Sequence, residues 1–72
     1  MQKWAFIYTS GAASASPVRA VTGSEACRLV TVGVGSTEVP DAVISGLIDE
    51  GVELIELCGA FGPLEAAGVL AQ

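Results

Sequence analysis

Apolar residues along this chain fall into alternating and helical periods, separated by short glycine-, serine- and proline-bearing stretches. Trp4-Ala5-Phe6-Ile7-Tyr8-Thr9 reads as a first strand. Trp4, Phe6 and Tyr8 share one face, and Ala5, Ile7 and Thr9 share the other. Both faces are largely apolar, so the strand is expected to be covered on both sides. Ser10 to Ser16 is small, polar and loop-like. Ser16-Pro17 suits the start of a short helical turn through Val18-Arg19-Ala20-Val21, stopped by Gly23. The alternative is an extended segment, because Val18 and Val21 favour strand.

Cys27 to Val34 reads as a second strand, with Leu29-Val30-Thr31-Val32 as a nearly continuous apolar run. Ser36-Thr37 can cap the helix that follows, with Pro40 in its first turn. Val43, Ile44, Leu47 and Ile48 recur at helical spacing, while Asp41, Ser45 and Asp49 face away. Gly51 is placed to end this helix as its C′ residue. Val52 to Cys58 reads as a third strand. Val52, Leu54 and Glu56 lie on one side of it, and Glu53, Ile55 and Leu57 on the other. The last helix runs from Pro63 to about Ala71, with Glu65 in a first turn whose dipole favours a carboxylate.

The strongest unit is strand, helix, strand from the second strand to the third. Such a unit sets two strands parallel with a right-handed crossover. The expected fold is α/β: a short, mainly parallel, three-stranded sheet with packed helices, in one small domain over residues 1–72. No internal repeat or linker interrupts it, and no strand follows the last helix. Three strands are few for this architecture.

At 72 residues, such a domain buries only about 60% of the surface of its unfolded chain. Disulfides, metals or oligomerisation commonly make up the difference. Cys27 opens one strand and Cys58 closes the next, so parallel strands put the two thiols at opposite ends of the sheet. Six residues of strand span about 20 Å, against about 4.4–6.8 Å between the Cα atoms of a disulfide. Free thiols and a reducing, cytoplasmic location are expected. The chain has no histidine, and two distant cysteines lack zinc-ligand spacing. No metal or cofactor is expected. Oligomerisation remains, and the mean hydropathy of +0.62 points the same way. The expected partner is a second copy of the chain.

Eight acidic and three basic residues give a formal charge of −5. That balance argues against nucleic acid, and none is expected as a partner, since phosphates need clustered Lys and Arg. It also disfavours an anionic membrane surface. No apolar run approaches the roughly 20 residues of a membrane span, and the Met1-Gln2-Lys3 start does not read as a signal peptide.

Candidate chemistry gathers around Leu54-Ile55-Glu56-Leu57-Cys58-Gly59-Ala60-Phe61-Gly62-Pro63, a strand, a glycine turn and a helix start. Such junctions often bind ligands in α/β proteins. Gly59 and Gly62 can offer backbone N–H groups to an anion, although no Gly-Lys-Ser/Thr follows to make a P-loop. The alternative is a tight connection with Phe61 packed on a neighbour. Glu56, if buried, would have its pKa raised and suit a general acid or base. Otherwise it pairs with Arg19 or Arg28, or accepts backbone hydrogen bonds. Cys58 is either a nucleophile near a helix N-terminus or a small buried apolar residue. Tyr8 could orient a ligand at the strand edge, or be core with its hydroxyl at the rim. Arg19 could meet an anionic ligand, or lie on the surface. Trp4 reads as a core or subunit-interface anchor.

The chain resembles a family of small bacterial and archaeal proteins catalogued only as a domain of unknown function. The carrying residues are Lys3-Trp4-Ala5-Phe6-Ile7, Arg19-Ala20-Val21, Val32-Gly33-Val34, Glu50-Gly51-Val52, and Leu54 to Gly59 with Phe61-Gly62-Pro63. The resemblance implies a small α/β protein and no particular activity. Ala60 stands where members commonly have glycine, and members tend to continue into another strand.

Three readings follow. The first is a small anionic or polar metabolite held at the C-terminal strand edge by Glu56, Cys58, Gly59 and Gly62, with Tyr8 and Arg19 nearby. The second is an enzyme with Glu56 as base or Cys58 as nucleophile. The third is a structural or partner-binding oligomeric subunit.

Overall fold

A computed structural model describes residues 2–71. It contains a four-stranded mixed sheet: β1 (Lys3–Thr9), β2 (Val18–Gly23), β3 (Arg28–Val34) and β4 (Leu54–Leu57). Helix α1 (Asp41–Asp49) joins β3 to β4, and α2 (Pro63–Leu70) follows β4. A single 3-10 turn, Gly11–Ala13, follows β1. The strand order is β2-β3-β1-β4. β1 runs parallel to both β3 and β4, while β2 runs antiparallel to β3.

This architecture keeps the α/β class and corrects the three-stranded sheet in two places. Val18–Gly23 is an edge strand rather than a helical turn. All six of its residues are exposed, so it is held by its ladder to β3 and by β-branched Val18, Val21 and Thr22 rather than by burial. The second correction concerns order. β3 and β4, joined through α1, are not neighbours, because β1 lies between them. β1 and β3, each largely apolar, take the two interior positions, where they pair on both edges. Cys27 and Cys58 therefore flank strands two places apart, and both thiols are free.

Cross-strand register sorts the two faces of the sheet. Ala5, Ile7, Val30, Val32, Val34, Ile55 and Leu57 point to one face, where they pack with Ile44 and Leu47 of α1 and Val69 of α2. Ala5, Ile7 and Val30 are fully buried, and Leu47 is 1% exposed. Both helices thus cover the same face. The other face carries Trp4, Phe6 and Tyr8 from β1 and Leu29 from β3, all half-buried and none within the buried cluster. Leu54 and Val18 on that face are 43% and 45% exposed. The expectation that the first strand is covered on both sides holds for one side only, because both helices lie on the face of Ala5 and Ile7. Trp4 is accordingly not a core residue.

Boundaries shift by small steps. Pro40 is the N-cap of α1 rather than part of its first turn. The Ser36 hydroxyl accepts from the Glu38 N–H, 3.2 Å away, closing a turn upstream of the helix. Gly51 takes φ = +81° directly after the C-cap residue Glu50, the left-handed position that favours glycine. The chain then locks to the sheet before β4 begins: Val52 N–H donates to the Leu47 carbonyl and Glu53 N–H to the Lys3 carbonyl.

Candidate functional site

Arg19 stands apart from the other residues singled out in the sequence, which lie on or just after the neighbouring strands β1 and β4. Arg19 projects from β2 in register with Val32, on the helix-covered face, and makes a two-pronged hydrogen bond to the carboxylate of Glu50 at the end of α1. The Lys3 ammonium lies 3.6 Å from the same carboxylate and donates to the Glu50 carbonyl at 3.1 Å. The Arg19 hydrogen bonds hold the Glu50 carboxyl below its usual range, helped by the positive charges of Arg19 and Lys3. The same bond raises the Arg19 pKa. This cluster ties the C-terminal end of α1 to two strands, and cations there also oppose the negative end of the helix dipole. Arg19 is therefore not paired with Glu56.

Glu56 is exposed and sits on the open face beside Phe6, its register partner. The burial on which an acid–base role was premised is absent. Cys58 is half-buried, directly after β4, with its N–H donating to the Ile7 carbonyl at 3.0 Å. Its carbonyl accepts from the Phe61 N–H at 3.1 Å, which closes the glycine turn on itself. Gly59 is exposed and Gly62 half-buried. The Gly62 N–H donates to Glu65 Oε1 at 2.8 Å. An internal carboxylate thus takes the place an anion would occupy at the start of α2. Tyr8 stacks with Phe6 on the open face, ring centroids 6.3 Å apart.

Other concavities lie elsewhere, and two of them bear on function. One is an apolar groove of about 490 Å³ between α1, α2 and β4, lined by Ile44, Ile48, Leu54, Val69 and Leu70 among others, with Glu53 its single charge. The Glu53 carboxylate accepts from the Gln2 N–H at 2.9 Å, which lowers its pKa.

The second is a polar cleft of about 340 Å³ at the carboxyl edge of the sheet. The connection from β1 runs past the end of β3 to reach β2, and the connection from β3 leaves the same edge for α1. Ser14, Ser16 and Pro17 line the cleft from the first connection, and Gly35, Ser36, Glu38 and Pro40 from the second. The Ser10 N–H donates to the Val34 carbonyl at 2.9 Å, which joins the two connections. A Cβ at Gly35 would stand 3.1 Å from Ser14 Cα, so the two backbones approach closely there. The sequence reading placed its candidate at the carboxyl end of β4, and this cleft lies at the same edge of the sheet, at the ends of β1 and β3. The signal for this cleft was the small polar run Ser10 to Ser16 together with Gly35-Ser36. It becomes legible only once β1 and β3 are known to be neighbours.

Among the described residues, no group of three or more Cys, Asp or Glu side chains could hold a metal ion. No described helix is long and apolar enough to cross a membrane. No curated protein and no solved structure matches the chain. A family model described as "Family of unknown function (DUF6506)" matches residues 2–72, nearly the whole chain. With a small α/β fold and that match in hand, the chain belongs to this family of unknown function.

Proposed function

We propose that the protein binds a small polar metabolite at the carboxyl edge of its sheet, between the connections that follow β1 and β3. One observation carries the reading: a cleft at that edge lined by Ser14, Ser16, Ser36 and Glu38. Its volume of about 340 Å³ falls at the low end of small-molecule sites, which span roughly 300–1,000 Å³. The serine hydroxyls both donate and accept. Glu38 is the one ionised side chain in the lining, so the site favours a neutral polyol or a cationic amine. An anion would meet a like charge there. The glycine turn after β4 is the weaker position, because the Gly62 amide already serves Glu65. The reading requires binding alone and no bond-making step.

Amide NMR titrations with glycerol and with ethanolamine test it. Shifts confined to residues 13–17 and 34–38 are expected. Glu38→Gln should weaken the amine about tenfold, the worth of one charge-assisted hydrogen bond, while leaving the polyol nearly unaffected. Shifts centred on Gly59 to Gly62 would relocate the site. No shift with either compound up to about 10 mM, weaker than any millimolar complex, would overturn the reading.

A further inference from the structure

The open face of the sheet is not evenly apolar: β1 carries its aromatic side chains, and in the row through Phe6 large and small side chains fall on opposite halves. We infer that this face is the contact between two copies of the chain, related by a two-fold axis that runs parallel to the strands between β1 and β3. On this face β1 presents Trp4 and Phe6, and β4 presents Leu54 and Glu56. Their neighbours β3 and β2 present Thr31 and Ala20 at the level of Phe6. One cross-strand row therefore reads Ala20, Thr31, Phe6, Glu56 from edge to edge. The axis reverses this row, so Phe6 of each copy meets Thr31 of the other and Glu56 meets Ala20. In that row ridges face troughs, and in the row beside it Trp4 of each copy meets Leu29 of the other, a self-complementary fit of the kind an isologous contact requires. An axis perpendicular to the strands sets β1 on β1 and β4 on β4. It stacks aromatic ridge on aromatic ridge and brings the Glu56 edges together.

Charge does not bar a second copy from this face. Each copy carries −5, from eight acids and three bases. Lys3 and Arg19 are engaged with Glu50. Among the described strand residues, Glu56 is the one Asp, Glu, Lys or Arg on the open face, and it sits at the β4 edge. Two like-charged copies approach on this face with a single acidic side chain from each in contact. Four strands about 4.8 Å apart and six residues at about 3.3 Å give a face of roughly 19 by 20 Å. The plan area is near 400 Å², and side-chain relief enlarges it. The contact belongs at the small end of specific interfaces, below about 1,200 Å² in total, where association is weak. A dissociation constant in the tens of micromolar is expected.

Sedimentation velocity of the whole chain from about 1 to 500 μM brackets such a constant. The 7.2 kDa chain should approach twice its mass as concentration rises, more readily at high salt because charge repulsion is screened. Trp4 is the single tryptophan and lies in the contact, so its emission should shift to the blue over the same range. Thr31→Arg fills the trough and should stay monomeric with an unchanged circular dichroism spectrum. Leu70→Arg alters the groove on the other side, at a residue 86% exposed, and should still dimerise. A monomer at all concentrations overturns the inference. So does a doubling of mass with Trp4 emission unchanged, or association lost in Leu70→Arg and kept in Thr31→Arg. Should Thr31→Arg not fold, the wild-type Trp4 measurement decides alone. None of these outcomes depends on the polar cleft.

Discussion

The ring of Tyr8 lies across Gly33, its register partner on β3. A Cβ built on Gly33 would stand 2.9 Å from Tyr8 Cζ and 3.0 Å from Cε2. Glycine at this place lets the aromatic ring cover the backbone of the neighbouring strand. The crowding atoms belong to the far end of a side chain on an open face, so the ring can swing aside at modest cost. Gly33→Ala should destabilise the fold by about 1 kcal/mol, the low end for overpacking. In a Tyr8→Ala background the same substitution should cost almost nothing. A denaturant-based double-mutant cycle measures that coupling, and additive effects would contradict the contact.

The Arg19–Glu50–Lys3 cluster gives stability a pH dependence of known sign. The folded-state pKa of Glu50 is depressed. Its contribution is therefore fully present above the unfolded value of about 4.3 and is lost as pH falls through the lower folded value. The Arg19 and Glu50 side chains are 44% and 31% exposed, so solvent screening limits the effect. Arg19→Ala should cost about 0.5–1 kcal/mol at pH 7 and close to nothing at pH 2. Equal losses at both pH values in thermal unfolding would rule out the ion pair as the cause.

Glu65 serves as an internal lid on the amide of Gly62. Removing it should fray the start of α2, with a loss of about 0.5–2 kcal/mol, typical of a lost N-cap interaction. Hydrogen exchange at Gly62 should accelerate in Glu65→Ala and be largely restored in Glu65→Gln, whose side-chain oxygen can still accept. Unchanged exchange in Glu65→Ala would mean that the amide is protected by something else.

Leu47 and Leu70 differ in burial and should differ in cost. Leu47 is 1% exposed within the core, whereas Leu70 is 86% exposed. Leu47→Ala should lose about 2–5 kcal/mol, a large part of the roughly 4–11 kcal/mol expected for a domain of this length. Leu70→Ala should change stability by no more than about 0.5 kcal/mol. Chemical denaturation of both variants checks the contrast.

Local signals carried much of the fold. Alternation in Trp4 to Thr9 marked a strand. The spacing of Val43, Ile44, Leu47 and Ile48 marked α1, with Gly51 correctly placed as its stop. Pro63 marked the start of α2. Val18 to Gly23 was harder, because its strand character depends on pairing with β3 rather than on any apolar face of its own. The candidate site was less legible. Glu56 lies on an apolar strand, but whether it is buried depends on which face the helices cover. Alternation defines two faces and does not say which of them is covered. Arg19 had several carboxylates within reach along the sequence, and only the packing of α1 on the sheet brings Glu50 to it.

The sequence by itself determined three of the four strands and both helices to within a few residues, which residues share a side, and that the chain is acidic and apolar. These follow from periodicity and turn chemistry, which act over a few residues. Only the tertiary structure decided that β1 separates β3 from β4, that both helices lie on one face, and that serines from two connections meet at a single cleft. Such outcomes depend on contacts between segments 20 to 50 residues apart. They are fixed by which arrangement buries the most apolar surface while pairing the backbone, a comparison that no single stretch of chain contains.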